Sequence, residues 1–174
     1  MTQHTTVQRR KGFSLVEVLL YLALTVLIMG TITAVFTQVV ETRQRSRTIA
    51  EVDQQGAQIM LEITQAIRDA ERVNSPTIGT SSSSLSLDLP LSYLSPTVYT
   101  LNGSTLQVTE GDAAPVALSS NRIAVSNVTF SNLSRSGTQG TVRIQFTLDY
   151  VAGDSSFDQD YSQTYYGSAT LREN

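Results

Sequence analysis

The chain has 174 residues with no cysteine, and its 12 basic and 15 acidic side chains give a formal net charge of −3. The lack of cysteine excludes a disulfide framework and any thiolate-ligated metal site. The acidic balance argues against broad binding of nucleic acid through its phosphates, so nucleic acid is not an expected partner.

A long apolar segment near the N-terminus, residues 13–40, contains one formal charge, Glu17. About 20 apolar residues span the ~30 Å hydrocarbon core of a bilayer as a helix, so this segment is predicted to cross a membrane. The cations that come shortly before it are Arg9, Arg10 and Lys11. Because of these cations, the positive-inside bias predicts a cytoplasmic N-terminus and an extracytoplasmic C-terminal part.

A short motif surrounds the junction between Gly12 and the apolar segment. The residues from Lys11 to Glu17 read KGFSLVE, and VLL follows. This motif resembles the processing site of type IV prepilins and type II secretion pseudopilins. The resemblance implies that a prepilin peptidase and methyltransferase cuts the chain after Gly12 on the cytoplasmic side of the membrane and N-methylates the new first residue, Phe13. Glu17 would then be the fifth residue of the mature chain.

The resemblance also implies a pilin-like fold and a structural role, first in the inner (cytoplasmic) membrane and then in a surface filament or pseudopilus. The implied partners are the peptidase, an inner-membrane assembly platform and other pilin or pseudopilin subunits, contacted through the N-terminal helix. The order of the predicted strands and the closing residues 169–174 is similar to the J-type pseudopilin and to minor pilins. The lack of cysteine departs from the C-terminal disulfide loop of many relatives, which leaves the branch of the family open.

Glu17 is unusual because a carboxylate in a lipid-facing helix is disfavoured by up to ~2.5–3.5 kcal/mol on insertion scales. One interpretation is that Glu17, near the start of the apolar segment, lies at headgroup depth and is solvated. The other is that it pairs with the N-terminal ammonium of a neighbouring subunit, since a buried carboxylate is tolerated only when it is paired. In the second case Glu17 is an assembly carboxylate that sets the register between subunits.

Loss of residues 1–12 would remove the only histidine, His4, and the only lysine, Lys11. The mature chain would keep nine basic against fifteen acidic side chains, a net charge of −6. Without histidine, lysine or cysteine, Ser-His-Asp catalysis, histidine-ligated metal and Schiff-base chemistry are excluded. A paired-carboxylate mechanism stays open, although no residue pattern indicates one. We therefore expect no enzymatic activity and no cofactor.

The absence of proline predicts one helix from Phe13 to about Val73, ended by the sequence Asn-Ser-Pro at residues 74–76. Beyond residue 40, apolar residues recur at three- and four-residue steps, which places them on one helix face. This stripe consists of Ile49, Val52, Gly56, Ile59, Ile63, Ala66, Ala70 and Val73, widened by Met60 and Ile67. Polar residues expected on other faces are Glu51, Gln55, Glu62, Gln65 and Asp69. Gly30 and Gly56 are predicted to weaken the helix locally.

The segment after Pro76 is predicted to be rich in β-structure. Its serine-rich start, residues 77–84, predicts a flexible connection, and Leu85, Leu87 and Leu89 then alternate with polar residues. Asn102-Gly103 predicts a hairpin over residues 98–108. Further strands are predicted over residues 123–130 with an irregularity near Asn127, over residues 142–148, and within residues 161–171 with Gly167 as a bulge candidate.

An antiparallel sheet with one apolar face needs a cover, and the helical stripe supplies it. The predicted fold class is therefore α+β, with a long N-terminal helix packed on a C-terminal antiparallel sheet. The predicted segments are a leader (residues 1–12), the membrane-spanning assembly half of the helix (13–40), its amphipathic half (41–75) and the β-rich head (76–174).

Two charged clusters have alternative interpretations. Asp154, Asp158 and Asp160 are weak calcium candidates because oxygen ligands suit that ion, but their spacing does not match a twelve-residue calcium loop. A solvated acidic turn is favoured, and no metal site is predicted. Three alternating arginines follow the apolar segment and are interpreted as a solvated collar rather than a DNA contact: Arg43, Arg45 and Arg47.

The sequence favours a prepilin-like precursor that becomes a structural, minor subunit of a type IV pilus or a type II secretion-like pseudopilus. It leaves open whether the system adheres, retracts, secretes or imports DNA. The alternative is an unprocessed, single-pass membrane-anchored extracytoplasmic binding domain. A tethered enzyme is the third hypothesis, and it lacks the usual nucleophilic or metal-binding groups.

Overall fold

The computed structural model describes Gly12, residues 14–135, Gly137, residues 140–151 and residues 161–172. In these residues the fold is α+β, as predicted: one long helix, α1 (Leu15–Asp69), packs on antiparallel β-structure. The strands are β1 (Arg72–Ser75), β2 (Ser81–Ser82), β3 (Leu85–Asp88), β4 (Thr97–Asn102), β5 (Thr105–Glu110), β6 (Val116–Ala117), β7 (Ile123–Asn132), β8 (Thr141–Tyr150) and β9 (Ser162–Thr170). Backbone contacts divide the chain into two compact units, Met1–Arg43 and Gln44–Asn174.

The strands form two sheets where the sequence predicted one. The five-stranded sheet has the order β1-β3-β4-β5-β6, and the four-stranded sheet has the order β2-β7-β8-β9. The strands divide into two sheets because β2, which follows β1 in the chain, pairs with β7 and so belongs with the C-terminal strands. Ile59, Ile63 and Ile67 of α1 are buried in a core to which both sheets contribute, so the predicted cover by the helical stripe is confirmed.

The C-terminal end of α1 differs from the prediction. The helix ends at Asp69, and Val73 lies in β1, where it pairs with Leu87 of β3. The backbone N–H of Glu71 donates to the carbonyl oxygen of Asp88 at 2.8 Å. Strand pairing therefore takes over before Pro76 is reached, and the proline does not set the end of the helix.

The predicted hairpin is confirmed as β4 and β5, with one correction to its turn. Asn102 pairs with Thr105 and belongs to β4, so Gly103 and Ser104 form a two-residue loop. Gly103 has φ +61°. A glycine with positive φ at the first loop position is typical of a type II′ turn, whose twist matches that of the flanking strands.

The irregularity predicted near Asn127 is present in β7. The pairing with β8 shifts between Ser126 and Thr129, and Asn127 has φ +52°. As a result Val125 and Val128 both face the core although they are three residues apart. In β8 the predicted alternation is confirmed, since its fully buried apolar side chains are Val142, Ile144, Phe146 and Leu148.

The serine-rich segment, predicted to be a flexible connection, contains β2. Ser81 and Ser82 pair with Ser131 and Phe130 of β7, and the hydroxyls of Ser81 and Ser131 lie 2.8 Å apart. The buried side chain of Asn132 donates from Nδ2 to the carbonyl oxygen of Pro76 at 2.8 Å. A serine-rich segment by itself favours an irregular loop, but the backbone and side-chain partners that β7 supplies hold this one as a strand.

Two glycines predicted as local defects are close-packing sites instead. Gly56 of α1 lies against the ring of Tyr165, and Gly167 of β9 lies against the sulfur of Met60. The register of β9 on β8 continues without a shift through the pair of Gly167 and Ile144, so Gly167 forms no bulge. The missing side chains allow α1 and β9 to approach closely. Gly30, by contrast, has nothing within 4 Å of an added Cβ.

Candidate functional site

The N-terminal part of α1 presents apolar side chains on all sides. From Leu15, which is 77% exposed, to Phe36, which is 68% exposed, large apolar side chains remain accessible in this unit. The helix is long and apolar enough to cross a membrane. An apolar surface of this extent is unfavourable in water and favourable in lipid or against other apolar helices.

The threonines of this segment satisfy their hydroxyls within the helix. The hydroxyl of Thr25 donates to the carbonyl oxygen of Tyr21 at 2.7 Å, and that of Thr33 donates to Met29 at 2.9 Å. Thr31 and Thr37 bond in the same way to residues three positions earlier. Since hydrocarbon offers no hydrogen-bond partners, internal satisfaction suits a helix in lipid.

The structure describes part of the predicted processing site. Gly12 is exposed and non-helical, and Glu17 is exposed in the first turn of α1. A carboxylate at this position interacts favourably with the positive end of the helix dipole. The predicted sites that lie outside the described residues are Arg9, Arg10, Lys11, Phe13, Asp154, Asp158 and Asp160.

The polar side of α1 in the Gln44–Asn174 unit, predicted to point away from the sheet, also makes contacts. Glu51 forms an ion pair with Arg122 at 3.0 Å. The side-chain oxygen of Gln55 accepts a hydrogen bond from the backbone N–H of Ser120 at 3.1 Å. Both partners lie in the segment that leads into β7, so these polar side chains anchor the helix to that segment rather than face only solvent.

A cavity of about 500 Å³ lies between the last turns of α1, β4, β5 and the segment that connects β3 to β4. We call it the acid-lined cavity. Its titratable lining residues are Glu62, Asp69, Tyr99, Glu110 and Arg172. Its remaining lining is mainly apolar and includes Ala66, Leu89, Leu91 and Leu94. No pattern in the sequence indicates this cavity, because its lining residues come from separate elements.

The acid-lined cavity perturbs two of its titratable groups. Burial, and secondarily the nearby charge of Glu110, raises the pKa of Glu62 above its ordinary value. Tyr99 is only 2% exposed, and its pKa is raised by burial and by the charges of Glu62 and Glu110. Both directions follow from the burial of these two side chains and from the acidic groups near them.

Other sequence-predicted groups have simpler surroundings. Arg43, Arg45 and Arg47 are exposed on α1, at the end of the apolar segment. Within the part of the chain that the structure describes, no group of three or more acidic or histidine side chains is arranged to hold a metal ion.

Comparison with known proteins finds no match: no family model, no curated protein and no solved structure matches this chain. Its function must therefore be inferred from its own residues. Two sets stand out, the exposed apolar part of α1 with Glu17 and the acid-lined cavity.

Proposed function

We propose that the chain is a prepilin-like precursor, cut after Gly12 and N-methylated at Phe13, and that it serves as a minor structural subunit of a type IV pilus or a type II secretion-like pseudopilus. One observation carries the proposal: the motif KGFSLVE directly precedes an apolar helix whose side chains are exposed throughout its N-terminal unit. The motif supplies the processing step, and the exposed helix supplies the surface that assembles.

The apolar surface suits both the membrane and a filament. Lipid tails are as apolar as leucine, so hydrophobicity alone does not drive helices together in a bilayer. Close packing and polar pairing determine which helices associate there. Glu17 is the only charged side chain of residues 15–40. Pairing of its carboxylate with the methylated ammonium of a neighbouring Phe13 would select one axial register among many similar apolar contacts.

Orientation follows from the charges around the apolar segment. The leader would remain cytoplasmic, where the peptidase and the assembly platform act, and the Gln44–Asn174 unit would lie outside the inner membrane. Cleavage would remove the leader cations and create the ammonium that Glu17 requires. Processing would thus convert an anchored precursor into a subunit competent for assembly.

The N-terminus of the native protein tests this proposal. The chain should be isolated from cells that contain a prepilin peptidase and from matched cells that lack it, and its N-terminal peptide should be identified by mass spectrometry. We expect N-methyl-Phe13 in the first case and the uncut leader in the second. A Gly12→Val variant, which places a branched side chain at the cleaved bond, should stay uncut in both. An identical, unprocessed N-terminus in all samples would contradict the proposal.

The alternative function, an unprocessed membrane-anchored binding domain, is favoured by a different observation, the acid-lined cavity of the Gln44–Asn174 unit. It shares the membrane-spanning helix but needs no cleavage. The same mass measurement separates the two functions, because only a prepilin begins at Phe13.

A further inference from the structure

Among the described residues, the two sheets have four edge strands, and β9 differs from the other three. β2 and β6 have two residues each, and β1 has four residues and a register shift. β9 has nine residues, pairs with β8 without a shift, and contains neither a charged residue nor proline. Short length, charge, proline and register shifts are devices that keep other strands from pairing with a sheet edge. β9 has none of these devices, so its outer edge is open to strand addition.

We propose that the outer edge of β9 binds an extended segment of another polypeptide, which adds to the four-stranded sheet as an antiparallel fifth strand. The segment is acidic at its N-terminal end and basic at its C-terminal end, and it has small residues where it faces α1. This inference goes beyond the proposed filament role and does not depend on it, because an unprocessed chain contains the same strand.

Alternate residues of β9 direct their backbone groups away from β8. The backbone N–H of Tyr150 donates to the carbonyl oxygen of Tyr161 at 2.9 Å, and that of Leu171 donates to Gly140 at 2.8 Å. Because the register does not shift between these two bonds, the odd-numbered residues of β9 bond to β8, and the even-numbered residues from 162 to 170 point their N–H and C=O groups outward. Within the part of the chain that the structure describes, these outward groups have no backbone partner. They offer an added strand up to about ten hydrogen bonds.

The side chains of the same residues do not close this edge. Ser162, Ser168 and Thr170 are exposed, and Tyr166 is 69% exposed. The carbonyl oxygen of Thr164 accepts a long hydrogen bond of 3.4 Å from the side-chain amide of the residue before it, which an incoming backbone N–H would replace. An added strand would also place a side chain directly beside Tyr166, where a cross-strand pair with an aromatic ring is favourable.

α1 runs alongside β9 on the inner face of the sheet, and this limits what can be added. The sulfur of Met60 lies against Gly167, and the backbone N–H of Arg172, just beyond β9, donates to the carbonyl oxygen of Arg68 at 3.0 Å. A second copy that paired through its own β9 would bring a second α1 to the same side of the joined sheet. Neighbouring strands lie about 4.8 Å apart, whereas packed helices need about 8–10 Å, so two copies do not fit. A segment without a helix of its own fits, provided that its residues on the α1 side are small.

Charges beside the two ends of β9 set the direction of the added strand. At the N-terminal end, Asp149 lies opposite Ser162 and accepts a hydrogen bond from its hydroxyl. At the C-terminal end, Arg143 lies opposite Ser168, and Arg172 follows the strand. None of these three charged side chains forms an ion pair within 4 Å among the described residues. An antiparallel strand begins at the basic end and finishes at the acidic end, so an acid first and a base last complement both charges.

The test is a calorimetric titration of the full chain in detergent micelles with three capped nine-residue peptides. EATAYATAK has the proposed charges and places alanines on the α1 side, KATAYATAE exchanges the two charges, and EAPAYAPAK loses two of the N–H groups that would face β9. Empty micelles provide the blank. We expect saturable binding of the first peptide, binding of the second that is weaker by about fivefold, and binding of the third that is weaker by about tenfold or more.

Variants of the chain locate the binding. Ser168→Pro removes one outward N–H and no bond to β8, which an edge strand tolerates, and it should weaken binding of EATAYATAK by about tenfold. Ser168→Ala keeps the N–H and should bind like wild type. Arg143→Gln changes an exposed side chain without disturbing the fold, and it should weaken EATAYATAK by about threefold and leave KATAYATAE less affected.

Sedimentation of the chain alone tests the other occupant, and a monomer in its micelle is expected. A dimer that Ser168→Pro dissociates would assign the edge to a second copy and overturn the proposal. Equal binding of the three peptides, no binding of any of them, or full binding of EATAYATAK by folded Ser168→Pro or by Arg143→Gln would overturn it as well.

Discussion

Replacement of Gly56 by alanine tests how closely α1 packs against β9. A Cβ at Gly56 would overlap the ring of Tyr165, so the ring would have to move. Its hydroxyl lies 3.1 Å from the carbonyl oxygen of Val52 and 3.0 Å from Oδ1 of Asp53, and both accept from it. The ring also stacks on Phe146, with centroids 5.4 Å apart. Displacement of the ring would disturb all these contacts.

The magnitudes decide the sign of the effect. Alanine in place of glycine favours a helix interior by about 1 kcal/mol. A hydrogen bond to a charged group contributes about 1.5–3 kcal/mol, and an aromatic pair contributes roughly 0.5–1.5 kcal/mol beyond its buried area. The losses exceed the gain, so Gly56→Ala should lower the free energy of unfolding by about 1–3 kcal/mol.

The assay is urea unfolding of the full chain in mild detergent, followed by near-ultraviolet circular dichroism. Gly30→Ala is the matched control, since an added Cβ there has nothing within 4 Å, and it should not lower the midpoint. On a Tyr165→Leu background, Gly56→Ala should become neutral or stabilising, because the overlapping ring is gone. A raised midpoint for Gly56→Ala on the wild-type background would refute the close packing.

Three further predictions concern charged groups. The pKa of Glu62 is raised by burial and by Glu110, so the folded state loses stability as the pH rises through that pKa. Glu62→Gln should therefore be more stable than wild type at pH 7. This gain in the urea midpoint should vanish below about pH 4, where the glutamate is protonated in both states. The pKa of Asp88 is lowered, first by its hydrogen bond from Arg72, so ionised Asp88 stabilises the fold above its ordinary pKa, and this stabilisation is lost as the pH falls through the lowered pKa. Asp88→Asn should therefore be less stable than wild type at pH 7 and equally stable in acid. A pH series of unfolding midpoints for both proteins checks this. Glu17→Ala should be cleaved and inserted normally but should decrease by about tenfold or more in sheared filament fractions, because a buried ammonium would lose its partner, whereas Glu17→Asp should retain part of the incorporation.

Much of the fold could be predicted because burial repeats at a fixed period within single segments. The spacing of Ile59 and Ile63 indicates the buried face of α1 from that segment alone. The alternation of Ile144 and Phe146 does the same for β8. The irregularity at Asn127 was predictable for the same reason, since the alternation of apolar residues shifts there by one position.

The remaining features depend on residues distant in sequence. Whether residues 72–75 continue α1 or form β1 is decided by β3, and whether Ser81 and Ser82 lie in a loop or a strand is decided by β7. The close packing of Gly56 requires knowledge of Tyr165, which contacts it from a strand more than a hundred residues later in the sequence. Local propensity contains none of this information.

The candidate functional groups differ in the same way: one is visible in its own segment, and the other depends on distant residues. Glu17 could be found from the sequence because one acid interrupts an apolar run, whereas Glu62 is one of several acids on α1 and becomes distinctive only beside Tyr99 and Glu110. Neither carboxylate forms an ion pair within 4 Å among the described residues. The two carboxylates separate experimentally, because Glu17→Ala should decrease filament incorporation by about tenfold or more, whereas Glu62→Gln should raise stability at pH 7 and leave processing intact. If Glu62→Gln stabilises the fold at pH 7, then the partial burial of this acid lowers stability, and no pattern within α1 alone indicates that cost.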